Sequence, residues 1–397
     1  MDVFNAPCYR LMKYSAKIIG IWPYQTRRKR IIIITIIWIF VFAQFIPQII
    51  ALAMYADDPD VQFEASSNMA VYFGAAIKYI NAMYKSNQMK NLYDRIKSDW
   101  KLVKNEEEKK TQQEHADLGN MLSSAWAGIA YCSATFFVLD PIVPKFSKLL
   151  FNINETDPYQ LPLPLEYIII DRRKHYWIML CFTSLMVYNI IIILVSCDII
   201  FINLVQHACG LFAVTGYRLE NTPIDENDSE VREGTDYLPN SKDVPYKHLV
   251  SCIRSHRRAL EFAELLESLY SISMGMLVGI NLPLISVTGF QIITKSNTIH
   301  QLLKYSTFTM SQIAHLFFFC YMSERLTEMS IRMHKCVANV RWFNNSIKSR
   351  NLLIIMTMRS QVPCKLTAAK IMDLTIENFS AMVRTSGSYF TMLLSMQ

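Results

Sequence analysis

Residues Ile31–Met54 have the sequence IIIITIIWIFVFAQFIPQIIALAM, which contains no charged side chain. A helix needs about 20 apolar residues to cross the ~30 Å hydrocarbon core of a bilayer, so this segment is long enough to span a membrane. The whole chain has the same character, since 52% of its 397 residues are hydrophobic and only 18% are charged. Soluble domains contain about 25% charged residues. The sequence therefore predicts a polytopic α-helical membrane protein.

Further segments have the length and apolar character of a membrane span. Four of them are clear, namely Met121–Val143, Tyr176–Val205, Ser271–Thr294 and Leu303–Met322. Two are weaker because they contain charged residues, namely Phe63–Tyr84, with Lys78, and Leu374–Met396, with Glu377 and Arg384. Together with the first segment they predict an all-α membrane protein with seven transmembrane helices.

The basic residues predict the orientation of these spans. Of the 40 Lys and Arg residues, 31 fall before the first span or in the loops that follow the second, fourth and sixth spans. The loop after the first span has no basic residue and carries Asp57, Asp58, Asp60 and Glu64. Because cytoplasmic loops have an excess of Lys and Arg, we expect a cytoplasmic N-terminus and an extracellular C-terminus. This topology is the inverse of a G-protein-coupled receptor.

Several loops on the predicted cytoplasmic side have a helical pattern of apolar residues. The fourth span continues through Gln206–Leu219, and Tyr246–Leu269 is amphipathic and leads into the fifth span. The sixth span continues toward Trp342, and Leu352–Met358 is an apolar run too short to cross a membrane. We therefore expect long cytoplasmic helices that bury apolar stripes, either against one another or against another subunit.

The sequence lacks the patterns typical of catalysis or metal binding. The nine cysteines contain no C-x-x-C pair, and the chain has no G-x-x-x-x-G-K-[ST], G-x-S-x-G or H-E-x-x-H motif. We expect no enzyme activity, no metal or other cofactor and no nucleic-acid partner. A metabotropic seven-helix chemoreceptor, a transporter and an accessory membrane protein remain alternatives, although a transporter would usually show internal repeats.

The C-terminal segment carries a recognisable motif. It begins with Leu366-Thr367-Ala368-Ala369-Lys370, Leu374 and Phe379, and continues with Val383-Arg384-Thr385-Ser386 and Ser388-Tyr389-Phe390-Thr391-Met392-Leu393-Leu394. This segment resembles the end of insect odorant receptors, whose usual pattern is close to L-T-A-G-K followed by K/R-T-S-x-S-Y-F-T-L-L. Ala369 replaces the usual Gly, and Gly387 stands at the variable position. The loop between spans 4 and 5 is much shorter than in the family's coreceptor, so the chain resembles a ligand-tuning subunit.

This resemblance implies a subunit of an odorant-gated, non-selective cation channel that binds small volatile ligands. In this family a tuning subunit forms a hetero-oligomer, a tetramer, with the coreceptor in the plasma membrane of a sensory-neuron dendrite. The chain then divides into a cytoplasmic N-terminal segment (1–30), transmembrane helices 1 to 6 with the ligand pocket in their outer half (31–322), cytoplasmic anchor helices (323–372) and a pore-lining last helix (373–397).

The resemblance also assigns the pore to the last span. The family's hydrophobic gate lies near the outer end of this span, which corresponds to Met392 and Met396 on one helix face, with Ser395 beside them. A ring of methionine side chains could dewet a narrow constriction. Arg384 lies near the middle of the span and is expected to face a water-filled conduit. The alternatives are that the methionines face lipid and that Arg384 snorkels or pairs with Glu377.

The expected ligand pocket lies in the outer half of spans 2 to 5. The family places ligand contacts at the Tyr72-Phe73 pair in span 2, and residues at helical spacing complete the set. The candidate ligand-binding residues are Met69, Tyr72, Phe73, Gly128, Tyr131, Cys132, Thr135, Met179, Thr183, Tyr188, Ile280 and Leu284. Ordinary helix packing is the alternative for each of them. Asn154, in a predicted outward loop, is a potential glycosylation site because Glu155 and Thr156 follow it.

Overall fold

The computed structural model describes residues 3–103, 105–143, 161–166, 173–223, 244–295 and 299–395, and these residues are almost entirely helical. The helices are α1 (Pro7–Ile18), α2 (Arg27–Met54), α3 (Pro59–Tyr84), α4 (Ser86–Leu102), α5 (Glu106–Leu139), α6 (Tyr176–Glu220), α7 (Val244–Lys295), α8 (Ile299–Ala338), α9 (Ile347–Ser360) and α10 (Ile376–Ser395). Two short strands, β1 (Thr367–Ala368) and β2 (Met372–Asp373), pair antiparallel. Short 3₁₀ helices occupy Val3–Asn5 and Trp342–Asn344.

Seven of these helices contain the predicted membrane spans, namely α2, α3, α5, α6, α7, α8 and α10. Length and apolar composition alone qualify α2, α5, α6 and α7 to cross a membrane. Helices α3, α8 and α10 are also long enough, but they carry charged residues such as Lys78, Lys304 and Arg384. The all-α class predicted from the sequence is confirmed.

Three helices extend far beyond the length that a bilayer requires. Helix α6 has 45 residues, α7 has 52 and α8 has 40, compared with about 20 for a membrane span. Their extensions pack with α1, α4 and α9 at one end of the bundle. We call it the basic end, because these segments contain 18 of the 40 Lys and Arg residues of the chain. The predicted continuation of these spans as helices is confirmed.

Helix α6 forms the centre of the bundle. Every residue from Val195 to Gly210 is buried, and α6 packs against α1, α2, α3, α5, α7 and α8. Several polar groups on this buried stretch have partners on the surrounding helices. Asn203 Nδ2, for example, donates to Ser123 Oγ on α5 (2.9 Å). At the basic end, the Tyr9 hydroxyl of α1 lies 3.1 Å from His207 Nδ1. These hydrogen bonds offset the cost of burying polar side chains.

The segment before the last helix differs from the prediction, which had the chain enter the last span, Leu374–Met396, directly. Strands β1 and β2 form a hairpin first, and α10 begins at Ile376. Ala369 and Lys370 have φ angles of 53° and 59°. The two central residues of a tight hairpin turn need such positive φ angles. The Ala369 N–H donates to the carbonyl oxygen of Ser271 (2.8 Å), so this hairpin is docked on α7.

Candidate functional site

A cavity of about 110 Å³ lies among α3, α5, α6, α7 and α8. Its walls are formed chiefly by aliphatic and aromatic side chains, among them Val71, Ile190, Leu194, Leu277 and Phe308. Binding sites for small molecules have this composition, an apolar wall with a small number of polar groups. Such a wall binds a ligand by removing apolar surface from water, at about 25 cal/mol per Å².

Helix α5 supplies the small residues that leave room for this cavity. Ala130 and Ala134 are buried and line it, between Trp126 and Phe137 of the same helix. Spacings of three and four residues place these four side chains on one face of α5. A larger side chain at either alanine would therefore project into the cavity.

One end of the cavity meets a buried ionic cluster. Lys78 on α3 forms an ion pair with Asp198 on α6, and its Nζ lies 2.6 Å from His315 Nε2 on α8. Trp126 Nε1 on α5 donates to Asp198 Oδ2 (3.1 Å). Both Trp126 and His315 line the cavity, whereas Lys78 and Asp198 line a smaller cavity of about 20 Å³ toward the basic end. Charged residues inside a membrane bundle usually pair with one another, and this cluster joins four helices.

A second ionic cluster lies at the opposite end of the cavity. Lys304 Nζ on α8 lies 2.9 Å from Glu64 Oε1 on α3 and 3.3 Å from Asp140 Oδ2. The same ammonium group is 3.4 Å from the carbonyl oxygen of Pro162 and 4.9 Å from the ring centroid of Phe137, which lines the cavity. The cavity thus lies between two sets of ionic contacts that hold its wall helices together.

Three of the predicted ligand-binding residues line this cavity, namely Tyr72, Ile280 and Leu284. The remaining nine lie outside its lining, namely Met69, Phe73, Gly128, Tyr131, Cys132, Thr135, Met179, Thr183 and Tyr188. Phe73 is 49% exposed and its ring packs against Phe45 of α2. Ligand contact at any of the twelve stays a prediction.

The predicted residues of α5 lie on faces of that helix that do not line the cavity, whereas Met179 and Thr183 of α6 are buried nearer the start of their helix than the lining residues. All four candidates on α5 are exposed, namely Gly128, Tyr131, Cys132 and Thr135. Thr135 Oγ1 and the Tyr188 hydroxyl lie 3.0 Å apart, so they connect α5 and α6 outside the cavity. The helical period was therefore predicted correctly, but the residues of α5 that line the cavity were not among the candidates. The available signal was the pair of small residues, Ala130 and Ala134, which lie one and two turns after Trp126.

Helix α10 contacts the rest of the chain along one face only. Its buried residues are Met382 and Ser386. Ser386 Oγ donates to the carbonyl oxygen of Leu282 (3.2 Å), and Ser286 Oγ on α7 donates to the carbonyl oxygen of Ser386 (2.9 Å). Polar residues at intervals of three and four are exposed elsewhere on the helix, namely Ser380, Arg384, Ser388, Thr391 and Ser395. This spacing places them on one helix face, which we call the polar stripe.

The predicted gate residues lie beside the polar stripe or beyond the described chain. Met392 is 58% exposed, and Ser395 is exposed as part of the stripe. Met396 lies outside the described residues, as does the potential glycosylation site Asn154. The pore-lining role of these residues stays a prediction.

Comparison with known proteins identifies the family. Residues 60–387 match a family model described as 7tm Odorant receptor. Odorant receptor 13a of Drosophila melanogaster is 25% identical over 68% of this chain, and the match covers 65% of its own length, less than two thirds. Odorant receptor 82a of the same organism is 25% identical over 70% of this chain and 69% of its own length.

The fold is also that of a solved receptor. The insect olfactory receptor OR5 from Machilis hrabei, determined in complex with eugenol, superposes with a TM-score of 0.75 over 98% of each chain at 13% sequence identity. At this identity the likeness establishes the fold alone. The predicted arrangement of seven transmembrane helices is confirmed by this match.

Proposed function

This chain belongs to the insect odorant receptor family, and on that premise we propose that it is the ligand-tuning subunit of an odorant-gated, non-selective cation channel. The channel is a tetramer with the coreceptor in the plasma membrane of a sensory neuron. Each chain has a cytoplasmic N-terminus and an extracellular C-terminus. The observation that carries this proposal is the apolar cavity, one of whose wall helices, α7, is hydrogen-bonded to α10.

The ligand is a small volatile molecule held in the cavity. The volume of about 110 Å³ is of the order of an engineered apolar cavity of about 150 Å³ that binds benzene. OR5 was solved in complex with eugenol, which supports an organic ligand within this fold. Burial of apolar surface supplies most of the affinity, because the walls offer few polar groups.

Ligand binding affects the pore helix through α7. One face of α7 lines the cavity with Ile280 and Leu284, and another face holds α10 through the hydrogen bond between Ser286 and Ser386. Pro283 lies between these positions and lacks the N–H that would continue the helical hydrogen bonds, so α7 bends more easily here. A ligand that favours a shifted α7 also shifts α10. The free energy that the ligand contributes to channel opening equals the difference between its binding free energies for the closed and open conformations.

The polar stripe of α10 lines the pore. If this face contacted lipid, Arg384 and four hydroxyl side chains would be exposed to hydrocarbon, which is costly for the charge. In a tetramer, four α10 helices surround a water-filled path in which the stripe is hydrated. Met392 and Met396 form the hydrophobic gate at its outer end, with Ser395 beside them. Four copies of Arg384 would repel cations, so a heteromer with few copies of this chain is the conducting form.

The coreceptor binds at the basic end, through the anchor segment 323–372. Helix α9 exposes large apolar side chains there, namely Ile347, Ile354, Ile355 and Met358, and Ile371 at the tip of the hairpin is 89% exposed. Contiguous exposed apolar surface commonly marks a protein contact. This surface is the cytoplasmic anchor of the assembly.

A cavity-filling variant tests the proposal. Ala134→Phe places a ring in the cavity, and we expect the volatile concentration that gives half-maximal current to rise by at least about tenfold, the equivalent of ~1.4 kcal/mol of lost affinity. Ala125→Phe is the matched control, because Ala125 lies on the exposed side of the same helix. Both variants are expressed with the coreceptor, and their surface expression is measured. Equal volatile responses from the two variants would contradict the assignment of the cavity.

A further inference from the structure

We propose that Asn68 selects volatile ligands that carry a hydrogen-bond acceptor oxygen, such as small ketones, over hydrocarbons of the same shape. The inference rests on the proposed function of the cavity as the ligand site. It goes beyond that function because it names the chemical class of the ligand and the side chain that recognises it.

Asn68 presents a buried amide group to the cavity. The residue is 6% exposed and lines the cavity from α3. Its Nδ2 is buried and has no hydrogen-bond acceptor among the described residues. A buried amide without a hydrogen bond is destabilising in an apolar environment. A ligand that supplies an acceptor oxygen at this position therefore removes an existing cost as well as adding a contact.

Three other polar residues of the cavity, Ser133, Asn281 and His315, already have partners. Ser133 Oγ donates to the carbonyl oxygen of Thr307 (3.3 Å), and Asn281 Nδ2 lies 3.4 Å from His315 Nδ1. His315 Nε2 in turn lies 2.6 Å from Lys78 Nζ. Ser133, Asn281 and His315 therefore each have a polar neighbour within hydrogen-bond distance. Asn68 differs from these three residues, because it is more than nine-tenths buried and its Nδ2 has no acceptor among the described residues.

No hydrogen bond among the described residues fixes the orientation of the Asn68 amide. An amide has two donor hydrogens on nitrogen and an acceptor oxygen, and a rotation about χ2 exchanges their positions. The group can therefore turn its N–H toward an acceptor wherever the apolar body of the ligand places it. The rest of the ligand contacts aliphatic walls, and the volume of about 110 Å³ suits molecules on the order of six to eight heavy atoms.

Pairs of molecules that differ only at the oxygen test this inference. We would measure binding to the full-length purified chain for cyclohexanone against methylenecyclohexane, and for hexan-2-one against 2-methylhex-1-ene. In each pair a carbonyl oxygen is replaced by a methylene group of similar size. We expect the ketones to bind about tenfold more tightly, as one added hydrogen bond allows. In Asn68→Leu, which keeps the side-chain volume but removes the amide, this preference should disappear.

A second buried amide provides the matched control. Gln291 on α7 is 1% exposed and its Nε2 also has no partner among the described residues, but it does not line the cavity. Gln291→Met should therefore keep the wild-type preference for ketones. Asn68→Leu should melt at or above the wild-type temperature without ligand, because it removes an unsatisfied amide. This measurement distinguishes lost recognition from a damaged fold.

The possible outcomes separate this inference from the channel proposal. Equal binding of the paired molecules, no binding of either, or a preference that survives in Asn68→Leu would overturn the inference. Loss of the preference in both variants would overturn it too, since the effect would not be specific to Asn68. Selective binding of ketones without any evoked current would support the ligand class and contradict the channel. Currents evoked equally by ketones and alkenes would support the channel and contradict the ligand class.

Discussion

Lys78 and Asp198 form an ion pair in the middle of the helix bundle, with both side chains almost completely removed from solvent. The carboxylate also accepts a hydrogen bond from Trp126 Nε1 (3.1 Å), and His315 Nε2 lies 3.4 Å from it. The ion pair therefore connects α3 and α6 directly beside the cavity. Removing one member leaves the other charge buried, which typically costs about 3–5 kcal/mol.

Lys78→Met should destabilise the purified chain by about 3 kcal/mol, at the lower end of that range because His315 remains near the carboxylate. Adding Asp198→Asn to this variant should recover part of the loss, since the uncompensated charge is gone and Trp126 keeps an acceptor. Melting of the two single variants and the double variant in detergent gives the coupling energy. Strictly additive effects would show that the pair does not act as a unit.

Gly275 allows the hairpin to dock on α7. A Cβ atom at this position would lie 2.5 Å from Ala369 Cβ and 2.9 Å from the Ala369 backbone nitrogen. Gly275→Ala should therefore displace the hairpin and lower stability by about 1–3 kcal/mol, the usual cost of overpacking. Gly279→Ala, one turn further along α7, is the control because nothing lies within 4 Å of its Cβ. That variant should gain about 0.5–1 kcal/mol from lower backbone entropy. Similar melting temperatures for the two would refute the docking contact.

Ala369 occupies a backbone conformation that suits glycine. Its φ of 53° costs an L-residue roughly 1 kcal/mol relative to glycine. Ala369→Gly should therefore raise the melting temperature of the chain. Ala368→Gly, in strand β1, should lower it instead, because that side chain is buried and packs in the core. A destabilising effect of Ala369→Gly would mean that the contact of the methyl group outweighs the strain.

His256 at the basic end makes stability depend on pH. Burial, together with the positive charge of Arg359, lowers the pKa of His256 to about 4, against ~6.5 in an unfolded chain. Between these values the unfolded chain binds a proton that the folded chain does not, so stability is lost as the pH falls from about 6.5 to 4. His256→Gln should reduce the loss between pH 7 and 4.5 by about 2 kcal/mol. Parallel pH profiles for wild type and variant would contradict this assignment.

The spans were predictable because long apolar runs have few other stable structures. The segment Ile31–Met54 lies within α2, and the runs that contain Lys78 and Arg384 also proved to be helices. The partners of Lys78 were not predictable. Asp198 and His315 are 120 and 237 residues away from it in the sequence, and no local pattern relates such positions.

The cavity was predictable only in part. Tyr72, Ile280 and Leu284 line it, but the cavity-lining residues of α5 were not among the candidates. A membrane helix is apolar on its lipid-facing side as well as on its packed side, so periodicity gives little information about which side is buried. The hairpin was missed for a different reason. Its strands have two residues each, too few for an alternating pattern, and its turn uses Ala369 where the usual signal is glycine.

Recording from excised membrane patches that contain this chain and the coreceptor tests the central claim most directly. The patches contain no added nucleotides and receive a broad panel of volatiles, and patches with the coreceptor alone serve as the control. The account predicts a volatile-evoked cation current that the control patches lack. Volatile responses that occur only in intact cells and disappear on excision would contradict it, because they would require a metabotropic pathway.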